Sequence, residues 1–433
     1  MSKYLPMSIP LDDLYHYIES VAKEIDEDVI IYRFWPHGSK NIDNLEELQG
    51  AISWSERALG LNITCHDQEP LNYGLIQYNA GSTIQKILNS LLLFDYTNHN
   101  LITASTVHNK ICLVHSEKRS EHVIKYQNNR CVPVYYWSHA LISLDWFRFA
   151  QHVQQTKQVQ KLFLIYNRAW SGTREYRLKF SELLVRLGLQ DFCQTTVNPV
   201  DPELGTHYET HQFENLAWRP NLVLENYFLP STATSSYSAT FDINNYQATD
   251  IEVVLETLFD DSRLHLTEKS LRPIACRQPF ILAGTHGSLE YLHSYGFKTF
   301  GNIWDERYDL IEDPEERLLA IADLMNDIAN WTLDQRANKI MQAQEIAEYN
   351  QQYFFSKEFF SMITSELKNN LNTAIMELKL NADFQPFIDR WEHLITFKDI
   401  TDFLENPEPG QHPGIPTMDQ VTQVLDKLKQ HKF

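Results

Sequence analysis

Residues 251–304 read IEVVLETLFDDSRLHLTEKSLRPIACRQPFILAGTHGSLEYLHSYGFKTFGNIW. The apolar run at 251–258 predicts a strand. Thr267 then stands before apolar residues at helical spacing as a good N-cap, which predicts a helix over 267–276. A second apolar run predicts a strand at 279–283, a helix follows at 288–295, and a short last strand is expected at 298–300. Strand, helix, strand, helix in this order is the signature of a mainly parallel sheet flanked by helices.

The same alternation extends upstream. KLFLIY at 161–166 is a strand, NRAWSGT a polar turn, and 174–186 a helix stopped by Gly188. Residues 194–250, rich in Thr, Ser, Asn, Pro and Tyr, promise only short strands such as 221–224. The first third carries its own alternation: a helix at 10–25, a strand at 28–34 (DVIIYRF), a loop at 35–40, a helix at 45–52 and a strand at 61–65 ending in HDQEP. A helix at 84–94, strands at 110–115 and 130–136, and a helix at 139–152 complete it. Beyond 313 long amphipathic helices are expected at 314–349 and 354–380, then a loose PEPG stretch at 407–410 and a last helix at 418–429. The expected fold class is α/β: two Rossmann-like domains, 1–155 and 160–350, facing a cleft, with a C-terminal helical segment, 351–433, packing back on the first.

Length agrees, since 433 residues suggest two or three domains. Glycine, 14 in 433, is too scarce for collagen-like or Gly-rich repeat architectures. A net charge of −20 argues against a polyanion binder that uses its whole surface, so any nucleic-acid contact must be a local basic patch. Five scattered cysteines with no CxxC pair fit neither a zinc ribbon nor a disulfide framework, and a reducing cytoplasm is the expected location. The N-terminus lacks the apolar core of a signal peptide, and no stretch supplies about 18 consecutive apolar residues, so no membrane span is expected.

The chemistry concentrates in 251–304. A helix start at Thr267 offers unpaired N–H groups and a positive dipole end to an anion, and Lys269 adds a full charge beside them. A diphosphate fits there, and Glu268 can accept hydrogen bonds from ribose hydroxyls. Taken singly, Glu268 is as well explained as a dipole complement and Lys269 as a solvated charge. The spacing of Glu256, Thr267-Glu268-Lys269 and PFILAG (279–284) resembles the nucleotide-binding core of the α-1,3-fucosyltransferase-like glycosyltransferases. Upstream, LFLIYNRAWSGTREYRLKFSELL resembles the same family, in which an Arg of the pattern Arg-x-x-Phe contacts donor phosphates. Arg177 before Phe180 matches that pattern, and Arg174, read as one turn earlier on the same helix face, is the alternative. The resemblance, confined to 160–304, implies a GT-B glycosyltransferase, inverting and independent of metal, that uses a nucleotide sugar, a UDP-sugar being favoured over a GDP-sugar, with no further cofactor.

Arg272-Pro273-Ile274 departs from the family's small apolar run at that point, which puts a fucosyl donor in doubt. The extension GSLEYLHSYGFKTFGNIWDERYD is similar to glycosyltransferase-like proteins of large tailed bacteriophages. That similarity implies 5-hydroxymethylcytosine in double-stranded phage DNA as acceptor, with glucosyl or arabinosyl transfer in a host cytoplasm; the net charge of −20 weighs against it. A general base is expected at the C-terminal end of a strand in the first domain. Asp67 and Glu69, beside His66 in HDQEP, are the first choice; Ser116-Glu117 and His139 are alternatives, and Trp35, Pro36 and His37 can line the same cleft. His207 and His211 stand four apart in a loop-like region, a poor setting for zinc. Asp26-Glu27-Asp28 reads as a solvated turn. GxGxxG, P-loop and GxSxG patterns are absent. The rival reading is a non-catalytic nucleotide-binding or virion-associated protein with a degenerate site. Oligomeric state is left open by the sequence.

Overall fold

The computed structural model describes residues 14–27, 29–34, 61–66, 111–115, 117–121, 124, 134–137, 147, 150, 156–231 and 241–380. Helix α1 (Leu14–Ile25) leads into a four-stranded parallel sheet of β1 (Val29–Phe34), β2 (Leu61–His66), β3 (Ile111–His115) and β4 (Val134–Tyr136), ordered as in the chain. A second four-stranded parallel sheet holds β5 (Lys161–Ile165), β6 (Cys193–Thr195), β7 (Thr249–Leu255) and β8 (Phe280–Ala283) in the order β6-β5-β7-β8. The chain leaves β5 for one edge and later adds strands on the other, so the direction of winding reverses between β5 and β7. Open α/β sheets leave a crevice at such a switch point, outside the carboxyl ends of the strands.

The α/β class with two parallel sheets is as the alternation predicts. Helix α2 (Tyr176–Arg186) follows β5, the short α3 (Ile243–Gln247) precedes β7, α4 (Glu268–Ala275) joins β7 to β8, and α5 (Ser288–Ser294) follows β8. Helices α6 (Pro314–Ala329), α7 (Leu333–Phe354) and α8 (Lys357–Leu380) end the described chain. Among the described residues no helix is long and apolar enough to cross a membrane.

Strand β7 is buried throughout, as a central parallel strand must be, yet it carries two acids. Asp250 accepts from the Arg336 guanidinium of α7, at 2.6 Å from Nη2. Glu252 is bound by Arg272 of α4 and by the Tyr246 hydroxyl (2.7 Å), while the Arg272 guanidinium lies over the Tyr166 ring. The Arg-Pro-Ile step in α4 is thereby explained: Arg272 serves the acid buried in the neighbouring strand.

Helix α8 buries Phe359, Ile363, Leu367, Leu371, Ala374 and Ile375, one stripe at three- and four-residue spacing. It runs from the α7 side onto α1, β3 and β4, where the Trp137 indole N–H donates to the Ile363 carbonyl at 3.2 Å.

Several expectations are corrected. Residues 221–224 form no strand; a 3-10 turn stands at Leu224–Asn226, and the edge strand of that region is β6. No strand forms at 298–300 either, because side chains satisfy its backbone: the Asn350 amide takes both polar groups of Lys298, and Glu306 accepts from Phe300 N–H. The helix expected over 314–349 is two helices, broken where the Thr332 side chain and Gln335 form a reciprocal capping box. β4 (Val134–Tyr136) lies within the strand expected at 130–136, of which 130–133 fall outside the described residues. The helices expected at 45–52, 84–94 and 418–429 and the loop at 35–40 lie outside the described residues, as does nearly all of 139–152.

Candidate functional site

The two sheets meet through their carboxyl ends. Just past β3, Lys118 and Leu264 exchange both backbone hydrogen bonds, at 2.9 and 2.8 Å, and Glu117 pairs with Arg263 at 3.7 Å. Arg119, at a positive φ of 54°, places its guanidinium against the ring of His286 (2.8 Å) and the His286 carbonyl, in the loop after β8. At the end of β4, the Tyr136 hydroxyl meets that of Tyr291 in α5, and Tyr295 donates to Tyr136 at 3.1 Å. The Lys118 ammonium lies 4.8, 5.0 and 5.4 Å from the ring centres of Tyr136, Tyr291 and Tyr295. Cation–π attraction and a backbone bridge thus hold the first sheet's exit loop over the second sheet's carboxyl edge.

At that edge the sequence-derived donor residues take different parts. Glu256, directly after β7 and fully buried, caps α4. Its Oε1 accepts from Thr267 N–H (3.0 Å), Ser270 N–H (3.2 Å) and the Ser270 hydroxyl; its Oε2 accepts from the Thr267 hydroxyl (2.7 Å) and Thr257 N–H (3.1 Å). The Thr267 hydroxyl in turn accepts from Lys269 N–H at 3.3 Å. At the start of α4 the Thr267 and Ser270 N–H groups are therefore engaged by the Glu256 carboxylate and Lys269 N–H by the Thr267 hydroxyl, which leaves few backbone donors there for a diphosphate.

Two more carboxylates behave alike. Asp201 accepts from Trp170 and Ser171 N–H in the turn after β5 (2.8 and 2.9 Å) and from Glu203 and Leu204 N–H (2.8 and 3.0 Å). Burial works to raise its pKa, but these four bonds outweigh it and hold the carboxyl below its ordinary value. Asp309 accepts from Ser288 and Leu289 N–H, both at 3.0 Å, at the start of α5.

What remains to receive a ligand is side-chain charge. The Lys269 ammonium sits 3.0 Å from Glu268 and 3.3 Å from the Thr257 hydroxyl, at the mouth of the switch point. Arg177 is buried: its Nη1 donates to the Ala169 carbonyl (2.7 Å) and its Nη2 to Leu255 and Glu256 carbonyls (2.7 and 3.1 Å). Desolvation lowers its pKa. It ties the turn after β5 to the end of β7, and its hydrogen-bonding face is turned to backbone. Arg174 is not on the same helix; it closes a 3-10 turn, Gly172–Arg174, with Gly172 at a φ of 61°, and its guanidinium meets Glu203. Of the two arginines, Arg174 is the one at the surface.

Asp67, Glu69, Ser116, His139 and Trp35 to His37 lie outside the described residues. Glu117 is described and buried under the bridge between the sheets, paired with Arg263. His207 bonds Glu225 (3.0 Å) and His211 bonds Glu175 (2.7 Å), so the two imidazoles serve different acids, and among the described residues no cluster able to hold a metal ion occurs. Asp201, Glu203, Arg168, Arg119, His286 and Asp309 went unnoticed in the sequence. Only the VDPELG turn (200–205) carried a signal, its Asp-Pro and Gly marking a tight loop.

No family model matches the chain, and no curated protein matches it. Among solved structures, α,α-trehalose-6-phosphate synthase from Burkholderia multivorans is similar at a TM-score of 0.35 and 12% identity, over 82% of this chain and 74% of that one.

Proposed function

We propose that this protein transfers a sugar from a nucleotide-sugar donor to a hydroxyl acceptor, with the donor diphosphate lying at the β5/β7 switch point. The observation that carries this reading is the arrangement there. At the carboxyl edge of this doubly wound sheet Lys269 and Glu268 stand at the start of α4, after β7, Arg174 stands on the turn that leaves β5, and the exit loop of a second parallel sheet bridges to Leu264 in the loop after β7. In such a site Lys269 and Arg174 offset the charge that builds on a leaving diphosphate, which supports transfer without metal. Glu268, 3.0 Å from Lys269, would take the ribose hydroxyls. The resemblance over 160–304 supports an inverting mechanism, in which one base deprotonates the acceptor; Asp67 or Glu69, just past β2, is proposed for that role. For the acceptor, the resemblance over 287–309 supports 5-hydroxymethylcytosine in DNA, and a UDP-sugar is the preferred donor.

A thermal-shift screen of UDP-, GDP- and CDP-sugars tests the donor reading. One nucleotide sugar should give saturable stabilisation. Lys269→Ala should weaken its binding by about 1.5–3 kcal/mol, the range for a hydrogen bond to a charged group. No stabilisation by any of them sinks the proposal. Mass spectrometry of hydroxymethylated DNA incubated with the stabilising donor then tests the acceptor; DNA of unchanged mass removes it.

A further inference from the structure

Arg168 and Arg174 stand on the turn that leaves β5, on one side of the switch point, and both close on a single carboxylate. Arg168 Nη2 and Arg174 Nη1 each lie 3.2 Å from Glu203 Oε1, and Arg174 Nη2 bonds Oε2. Arg174 Nε donates to the Ser171 carbonyl at 3.2 Å, which fixes the direction of the fork. Two guanidiniums thus share the Glu203 carboxylate, and the buried Asp201 carboxylate, which accepts from Glu203 N–H at 2.8 Å, is the second acid of the cluster.

The anion in this clasp is the part most open to solvent. The Glu203 side chain is 41% exposed, against 25% and 20% for Arg168 and Arg174. Its backbone is anchored separately: Glu203 and Leu204 N–H donate to Asp201, and Gly205 N–H donates to the Asp201 carbonyl at 2.8 Å with a φ of 68°. Rotation about the side-chain bonds of Glu203 alone therefore vacates both guanidiniums while the loop stays in place. A planar fork that holds a carboxylate with two N–H groups fits two phosphate oxygens equally well, and a diphosphate brings more charge and more acceptors.

We propose that Arg168 and Arg174 form an anion subsite for the diphosphate of the ligand, and that Glu203 is its built-in occupant, displaced into solvent when that ligand binds. The inference rests on reading the switch point as the donor cleft, and it adds a gate: the subsite is filled by the chain itself until a stronger anion arrives. Exposed ion pairs are weak, so the gate opens at small cost.

Titration calorimetry with inorganic pyrophosphate, then with UDP and GDP, on the full chain and on Glu203→Ala and Arg174→Gln, tests this. Glu203→Ala should bind pyrophosphate about 2- to 30-fold more tightly than the parent, the factor that two exposed ion pairs represent. Arg174→Gln should bind it at least about tenfold more weakly, the loss expected for one charge-assisted bond. Glu203→Gln, which keeps the side chain's size, should fall on the tighter side with Glu203→Ala. Unchanged or weaker binding by both Glu203 variants overturns the proposal. If Arg174→Gln does not fold, Arg168→Gln takes its place. If pyrophosphate follows the expected order and UDP and GDP bind no better than pyrophosphate, the anion subsite stands and the nucleotide reading falls.

Discussion

Asp201, Glu256 and Asp309 each put a carboxylate where an incoming phosphate would find backbone N–H groups. A buried carboxylate is tolerable there because the donors are fixed and the local dipole is positive. On the proposed reading, affinity for a diphosphate would come from the side-chain charges of Lys269, Arg168 and Arg174. Asp309 makes the physics measurable. Burial pushes its carboxyl up to about 6, against the pull of the Leu289 and Ser288 N–H groups. Its unfolded value lies near 3.9, so the folded state holds the proton more tightly, and this contribution to stability is complete below about pH 4 and lost as pH rises through 6. Urea unfolding of the parent and of Asp309→Asn, compared across this window, should show the difference between them fall by about 3 kcal/mol as pH rises. A difference that stays level from pH 4 to pH 7 would show that Asp309 titrates normally.

At the scale of elements, α4 hangs on Glu256. Glu256→Gln replaces one acceptor oxygen with an amide that faces donors, and should cost about 1.5–3 kcal/mol in urea unfolding, the range for hydrogen bonds to a charged group. An unchanged midpoint would mean that Thr267 alone caps the helix. Much of this level was legible beforehand. Thr267, the PFILAG run and Gly188 carry strong local signals, and α4, β8 and the end of α2 fall within two residues of where those signals put them. What local signals missed was decided by distant partners. Lys298 is withheld from a strand by Asn350, more than fifty residues away, and Arg177 is turned inward by carbonyls of β7, so a motif match could not say which way its guanidinium faces. The break before α7 is the exception, because Thr332 and Gln335 form a capping box that can be read three residues apart. Edge strand β6 is three residues long, too short for its alternation to register.

Across the whole molecule, two parallel sheets present their carboxyl edges to one another, joined by the Lys118–Leu264 bridge and the Arg119–His286 contact, with α8 running back over the first sheet. Sequence periodicity implies two such sheets but does not say which ends meet; that depends on pairings such as Tyr136 with Tyr291, 155 residues apart. The central claim is that a nucleotide diphosphate lies at the β5/β7 switch point. Hydrogen–deuterium exchange with and without saturating UDP tests it most directly, because protection reports where the ligand sits. Slower exchange at 167–174 and 256–270, with little change in α7, is the result this account predicts; protection confined to other segments, or none at saturating UDP, would contradict it.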